Sequence, residues 1–279
     1  MASLFVNELT VIDFSYLHPT RGIVGESWIV DVILEGDLND EGMVFDFGLV
    51  KKQIKQAIDT SIDHKFVVPM HMPGLTLLQD DEDLIFDFSH QDGFHLSYRS
   101  PREAAFLLDS DSLNIDVVVG FMQVHLMSLL PKNVKAVQLN LYPQDIQGAF
   151  FHYSHGLKKH QGDCQRICHG HRSPIVVTQD GHRAPAIESA IATLWQDIYL
   201  ITEEDIIRQS DHDIQLGYDA EQGYFELTLP RKMCYVMQTD TTVELIAEHL
   251  LTWVKKHYPA SHTHVMAFEG FKKGAIAHD

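Results

Sequence analysis

Cysteine is scarce in this chain, three in 279 residues. An odd, small number excludes a disulfide framework and is too few for a closed four-cysteine zinc site or for paired zinc-finger motifs. A reducing compartment, with a cytoplasmic location, is therefore expected. Positive charge is short as well, 21 Lys and Arg against 39 Asp and Glu, for a net charge of −18. Such a surface repels phosphate backbones, so no nucleic-acid partner is expected. No apolar run approaches the roughly 18–20 residues that span a bilayer. The opening "MASLFVNELTVIDF" has no basic stretch ahead of an apolar core, so no membrane partner and no signal peptide are expected.

What is present is ordinary in amount and unusual in arrangement. The length suffices for one large domain or two of about 140 residues, each with its own core. Two segments read alike, from Phe94 ("FHLSYRSPREAAFLLDSDSLNIDVVVGFMQVHLMSLLPKNVKAVQLNLYP") and from Phe225 ("FELTLPRKMCYVMQTDTTVELIAEHLLTWVKKHYPASHTHVMAFEG"). Each runs strand, polar break, amphipathic helix, proline, strand. In the second, Val243, Ile246, Ala247, Leu250, Leu251 and Val254 form one stripe at helical spacing. Thr241 or Thr242 caps its start, and Pro259 follows its end.

The starts of the two halves also align. Phe14 matches Phe151, His18 matches His155, and Glu35-Gly36 matches Asp180-Gly181 at a hairpin turn. Two homologous domains are expected, about 1–145 and 146–279, with no Pro/Gly/Ser-rich linker and a short connection that favours halves packed side by side. They are not equivalent. Val24-Gly25-Glu26 stands where the second half has His169-Gly170-His171, and the first half has no cysteine. Asp63-His64 follows an amphipathic stretch in the first half, where the second has "TEED" (202–205).

The chemistry-bearing residues cluster in "GDCQRICHGHRSPIVV". Residues 171–178 read as a strand, on which His169 and His171 share a face roughly 7 Å apart. His155, on the preceding strand, can supply a third imidazole. Three neutral histidines with an open fourth position describe a catalytic zinc site, and the competing reading is a surface turn with unrelated histidines. Cys168 points away from that face and reads as packing. Cys164 lies in a glycine-containing loop, where a thiol near a metal and basic groups can act as base or nucleophile. Asp63-His64 can act as a general acid–base unit or be a solvated loop. Glu269, in the apolar last strand "VMAFEGF", costs too much to bury unpaired. It would suit a ligand presenting two adjacent N–H groups, or it faces water at a sheet edge.

Together "FHYSHGL", "C…HGH", "GMVFDF", "IDH", "TVELIAEHL" and "AFEG" resemble the 6-pyruvoyl tetrahydropterin synthase and 6-carboxytetrahydropterin synthase family, in tandem duplication. The resemblance implies an α+β fold of two tandem tunnelling-fold domains. Each would be an antiparallel four-stranded sheet with two helices on one face, assembling into a barrel as a homo-oligomer. It implies Zn2+ on His155, His169 and His171, and Cys164 as the catalytic thiol, with Cys168 as the alternative. It implies Asp63 and His64 as the acid–base pair, and Glu269 as the pterin anchor with Thr242 and Glu244 beside it. It further implies a pterin substrate, 7,8-dihydroneopterin triphosphate, with sites formed between domains and 6-carboxy-5,6,7,8-tetrahydropterin, a queuosine precursor, as the product. A 6-pyruvoyl product or a catalytically silent pterin- or zinc-binding protein is the alternative. The mirrored site, with Val24, Glu26 and Asn140 or Leu141, should be dead. Lys158, Lys159 or Arg166 is expected to serve the triphosphate.

Overall fold

The computed structural model of the chain describes residues 1–79, 82–90 and 93–279. The first half opens with a long hairpin, β1 (Ala2–His18) and β2 (Gly22–Gly36). A one-turn helix, α1 (Phe47–Leu49), continues through a π-helical stretch (Val50–Ile54) into α2 (Lys55–Ile62). Then come β3 (Phe66–Pro69), β4 (Leu75–Gln79), β5 (Asp83–Ser89), β6 (His95–Pro101), β7 (Ala105–Leu108), α3 (Ile115–Leu129) and β8 (Val134–Pro143). The second half repeats the plan with β9 (Phe150–His155), β10 (His169–Gln179), a short β11 (His182–Arg183), α4 (Pro185–Leu194) and β12 (Ile198–Thr202). It continues with β13 (Ile206–Gln209), β14 (Asp213–Ala220), β15 (Gly223–Pro230), β16 (Cys234–Met237), α5 (Val243–His257), β17 (Thr263–Phe268) and β18 (Gly274–His278).

Local chemistry explains the helices. Thr242 caps α5 by accepting from the Leu245 N–H at 3.4 Å, and the stripe Val243, Ile246, Ala247, Leu250 and Val254 is buried, with Leu251 at its margin. Asn114 caps α3, and Pro185 opens α4, where its missing N–H costs nothing.

The sheets depart from the four-stranded antiparallel expectation. The first half forms a five-stranded mixed sheet in the order β7-β3-β1-β2-β8, with β1·β3 and β3·β7 parallel. The second forms β16-β12-β9-β10-β17-β18, with β11 on β10 and the same two parallel pairings. The extra strands are the short apolar runs "FVVP" and "AFLL" and their counterparts "IYLIT" and "CYVM". They are too brief to stand out by alternation, and each covers its apolar side chains wholly or in part by parallel pairing beside β1 or β9. β4, β5 and β6 do not join the first sheet. They meet β13, β14 and β15 through an antiparallel β6·β15 pairing, Tyr98 opposite Leu227, and make one six-stranded sheet shared by both halves.

Three cores result. Helices α2 and α3 cover one side of the first sheet, and α4 and α5 cover the second around Trp195 and Phe151. A third core, including Phe66, Phe86, Tyr98, Cys168, Tyr199 and Phe225, lies under the shared sheet. Asp180 and Gly181, both at positive φ (47° and 80°), make the β10–β11 turn. Glu35-Gly36 makes no such turn. It ends β2, opposite Ser3 and Ala2, and leads into a loop.

The halves touch where the β1–β2 hairpin crosses β9–β10. Ser15 donates to Ser154 Oγ at 2.7 Å, and Gly25 and Gly170 stand back to back. A Cβ on Gly170 would lie 2.6 Å from the Gly25 Cα, and one on Gly25 would lie 1.9 Å from the Tyr153 carbonyl oxygen. Backbone cannot yield as a side chain does. Gly25→Ala should therefore cost about 3 kcal/mol or more of unfolding free energy in urea titration, at the severe end for one added methyl. A loss below about 1 kcal/mol would show that the hairpins do not cross this closely.

Candidate active site

Two adjacent strands present the histidine cluster. On the β9–β10 ladder His155 faces His169 and Tyr153 faces His171, so three imidazoles share one side of one hairpin. All three are fully buried, and their ligand-offering nitrogens lie within 4.8 Å of one another. Ring centroids are 4.5 Å apart for His155 and His169, and 5.5 Å and 5.8 Å from each of these to His171.

Hydrogen bonding fixes which nitrogen faces inward. The Nδ1 of His155 sits 3.0 Å from both the carbonyl and the hydroxyl oxygen of Thr241, and that of His169 lies 3.0 Å from the Arg166 carbonyl. An Nδ1–H donating to a carbonyl leaves the Nε2 lone pair free. The Nε2 atoms of His155, His169 and His171 are buried and carry no hydrogen bond among the described residues. Burial, reinforced by the neighbouring imidazoles, holds His155 and His169 well below the ordinary histidine range, so both are neutral. Neutral imidazoles with free, buried Nε2 atoms fit a divalent metal ion, and otherwise such atoms are costly.

Cys164 and Asp63-His64 come to the same place from opposite halves of one chain. His64, Cys164 and His169 offer ligand atoms within 4.8 Å of one another, and the His64 and His169 rings are 5.1 Å apart. Cys164 sits in a 3-10 turn (Gly162–Gln165) within the loop between β9 and β10. That loop is pinned to the β14–β15 turn: the Gln222 side chain donates to Asp163 at 2.8 Å, and its backbone N–H donates to Gln165 Oε1 at 2.7 Å. Cys168 is fully buried in the third core, the packing role read for it.

Asp63 ends α2, and His64 takes a left-handed φ of 53°, a strained conformation for a side chain of this size. The strain is held by β1. The His64 N–H donates to the Asp13 carbonyl at 2.7 Å, and the Asp13 N–H donates to Asp63 Oδ1 at 2.7 Å. The other Asp63 oxygen lies 2.8 Å from His64 Nδ1. Burial would lower the His64 pKa, but Asp63 and Cys164 outweigh it and push it up to about 10.

Glu269 lies one residue beyond β17, not in the last strand, which is β18. Its carboxylate is partly exposed, with Oε1 3.9 Å from His171 Nε2. Thr242 and Glu244 are not brought to the cluster. Thr242 is spent capping α5 and Glu244 is exposed, while the neighbour Thr241 is the residue that touches His155. The three expected cations are already paired. Lys158 meets Glu204 and Asp205, Lys159 meets Glu204 and Asp240, and Arg166 meets Asp163. Asp13 was not legible as a site residue, yet its carboxylate lies 3.2 Å from His171 Nδ1.

The mirrored position in the first half corrects three pairings made from sequence. The β1–β2 register sets Tyr16 opposite Val24 as His155 faces His169, so Tyr16, not His18, is the counterpart of His155. Gln196-Asp197, ahead of β12 and with Asp197 at φ 55°, corresponds to Asp63-His64 in place of "TEED". Pro143, opposite Trp28, stands for Glu269 in place of Asn140 or Leu141. The first error is a two-residue shift in register, which leaves a β pattern intact; the observed register also pairs Phe14 with Tyr153 in place of Phe151.

The chain matches the family model for 6-pyruvoyl tetrahydropterin synthase over residues 11–101 and again over 147–278. The chain belongs to this family. The two matched regions accord with a tandem duplication, and the protein is a tetrahydropterin synthase-like lyase. A Methanocaldococcus jannaschii protein provisionally named 6-carboxy-5,6,7,8-tetrahydropterin synthase is 29% identical over 140 residues, 48% of this chain and 82% of that protein. A Pyrococcus abyssi protein of the same provisional name is 20% identical over 135 residues, 47% of this chain and 74% of its own. The crystal structure of 6-pyruvoyl tetrahydropterin synthase from Plasmodium vivax aligns with 52% of this chain and 93% of its own, at 16% identity and a TM-score of 0.42. Among the described residues no helix is long and apolar enough to cross a membrane.

His64 carries a pH prediction. Its folded pKa lies above the ordinary histidine value, so the stabilisation is complete below about 6.5 and is lost as pH rises toward about 10. In metal-free protein the melting-temperature gap between wild type and His64→Gln should be largest at acid pH and shrink through that window. A gap that grows with pH would show the imidazole to be neutral in the fold.

Proposed function

We propose that the protein is a zinc-dependent lyase that converts 7,8-dihydroneopterin triphosphate into 6-carboxy-5,6,7,8-tetrahydropterin, in the route to queuosine. The observation that carries this reading is the convergence of three buried, Nε2-free imidazoles from one half with Cys164 beside them and Asp63-His64 from the other. The provisional names of the archaeal relatives favour the 6-carboxy product over the 6-pyruvoyl one.

His155, His169 and His171 would hold the ion. An ion held there would supply Lewis acidity toward the side-chain hydroxyls of the pterin, which makes the adjoining C–H bonds more acidic. Cys164 takes a proton from the side-chain carbon. His64, its Nδ1 engaged by Asp63, delivers or accepts a proton through the opposite nitrogen. Glu269, partly exposed and close to His171, accepts the paired N–H groups of the pterin ring and keeps the side chain in register with the thiol. β8 and β18 end their sheets unpaired in the single chain, and a homo-oligomer in the cytoplasm would cover such edges.

The test is metal content and turnover on the same preparation. About one zinc per chain and a 6-carboxy product by mass are expected. Cys164→Ala should keep its zinc and lose about 10²–10⁴-fold in turnover, the range for a positioned proton-transfer group. A 6-pyruvoyl product would move the protein to the other branch. Zinc without any product would make it a silent binding protein.

A further inference from the structure

One carboxylate from the first half reaches His171, while its own backbone holds Asp63 and His64. Asp13 lies on β1 and is 2% exposed. Its Oδ1 accepts from Ser27 Oγ at 2.5 Å and lies 3.2 Å from His171 Nδ1, and its Oδ2 lies 3.1 Å from Lys273 Nζ. Its backbone holds Asp63 and His64, as described above. The chain closes over it just past Glu269. Gly270, at φ 74°, sits so near that a Cβ would lie 2.4 Å from Oδ1.

We propose that Asp13 is a positioning residue for the metal site: across the boundary between the halves its carboxylate engages His171 Nδ1–H and so turns Nε2 toward His155 and His169. The reason is a gap in the hydrogen bonding. The Nδ1 atoms of His155 and His169 are oriented by oxygens of their own half, whereas His171 finds no such oxygen in its own half. Both nitrogens of His171 are buried without a well-aligned hydrogen bond, and the Asp13 carboxylate is the acceptor within reach of Nδ1. A metal-bound imidazole ordinarily donates its other N–H to a carboxylate or carbonyl, which fixes the ring and raises its basicity. The residue is particular to the first half. With Ser15 and Ser154 as the paired centre, the position matching Asp13 in the second half is His152, which is turned to the Gly25 carbonyl. Ser27 and Lys273 keep the carboxylate fixed and compensated, as a buried charge requires.

The inference rests on the three-histidine metal reading, and the experiment separates the two. Full-length wild type, Asp13→Asn and Asp13→Ala would be compared in three ways. These are zinc affinity by competition with a chromophoric chelator, the visible spectrum of the cobalt-substituted protein, and the melting temperature of the metal-free form. Asp13→Ala should bind zinc about 10–100-fold more weakly, the usual cost of losing such a partner, and shift the cobalt bands. Asp13→Asn is near-isosteric, so it should fold where Ala does not. It should fall between the two, because the amide oxygen can still accept from Nδ1–H. Wild-type affinity and an unchanged cobalt spectrum in both variants would overturn the role of Asp13 and leave the metal site standing. So would weaker binding matched by a lower metal-free melting temperature with unchanged bands, since that marks a merely structural residue. A wild type that binds neither ion would overturn the metal reading and the inference with it.

Discussion

The close crossing of two hairpins governs the rest of this structure. Gly25 and Gly170 meet with no room for a methyl group, and Ser15 and Ser154 join across the same point. Only at that separation can side chains of β1 reach a histidine on β10. Asp13 lies two residues from Ser15, and His171 lies one residue from Gly170. Asp63 and His64 ride on the same strand, because the Asp13 backbone holds both. Moving the hairpins apart by one methyl would separate Cys164 and the three histidines from Asp63 and His64. The glycines are thus a condition for the site although neither presents a functional group.

The same crossing creates a mirrored location, and there each functional element is replaced rather than merely absent. Tyr16, Val24 and Glu26 stand where the three histidines stand, and Pro143 takes the place of Glu269. The β1–β2 connection is only three residues, too short for a thiol loop, and brings in Arg21. Arg21 forms a two-pronged pair with Asp197, the counterpart of His64, at 2.7 Å and 2.5 Å. Such a partly exposed pair contributes little stability, but it ties up the side chain that stands in the place of His64. Burial pushes Glu26 up to about 7, so this carboxyl is a poor resident anion for a metal. Among the described residues, this mirrored location therefore lacks a second cluster of this kind.

Much of this was legible in residue order. The repeat, the helical stripe of α5, the hairpin at Asp180-Gly181 and the grouping of His155, His169 and His171 all follow from periodicity and spacing, which depend on neighbours in sequence. What escaped depends on neighbours in space. A four-residue strand such as "FVVP" is too short for a period and is defined by its parallel partner. The shared sheet exists because β6 finds β15, far along the chain, with Tyr98 opposite Leu227, and no local pattern encodes that choice. Asp13 reads as one acidic residue in an alternating strand, and only the opposing half makes it a partner of His171. Thr241 and Thr242 are equivalent as letters. Capping geometry assigns one to the helix and leaves the other for His155.

The buried imidazoles also set an energetic condition on the fold. A buried polar atom without a partner costs about 1–3 kcal/mol, and the cluster holds an Nε2 of this kind on each of His155, His169 and His171. The sum is comparable with the 5–15 kcal/mol by which a domain is typically stable. A fold gains nothing from such atoms by themselves, and Val24, Tyr16 and Glu26 show that the same framework accepts other side chains at these places. The cost is tolerable where an ion converts the free lone pairs into ligand bonds, so that binding free energy becomes folding free energy. Asp13 acts in the same direction. Its charge is buried at the junction of the halves, which is expensive in isolation. It is offset by Ser27, Lys273 and His171, the last from the other half. Polar groups unfavourable in either half alone are thus compensated when the two halves are in contact.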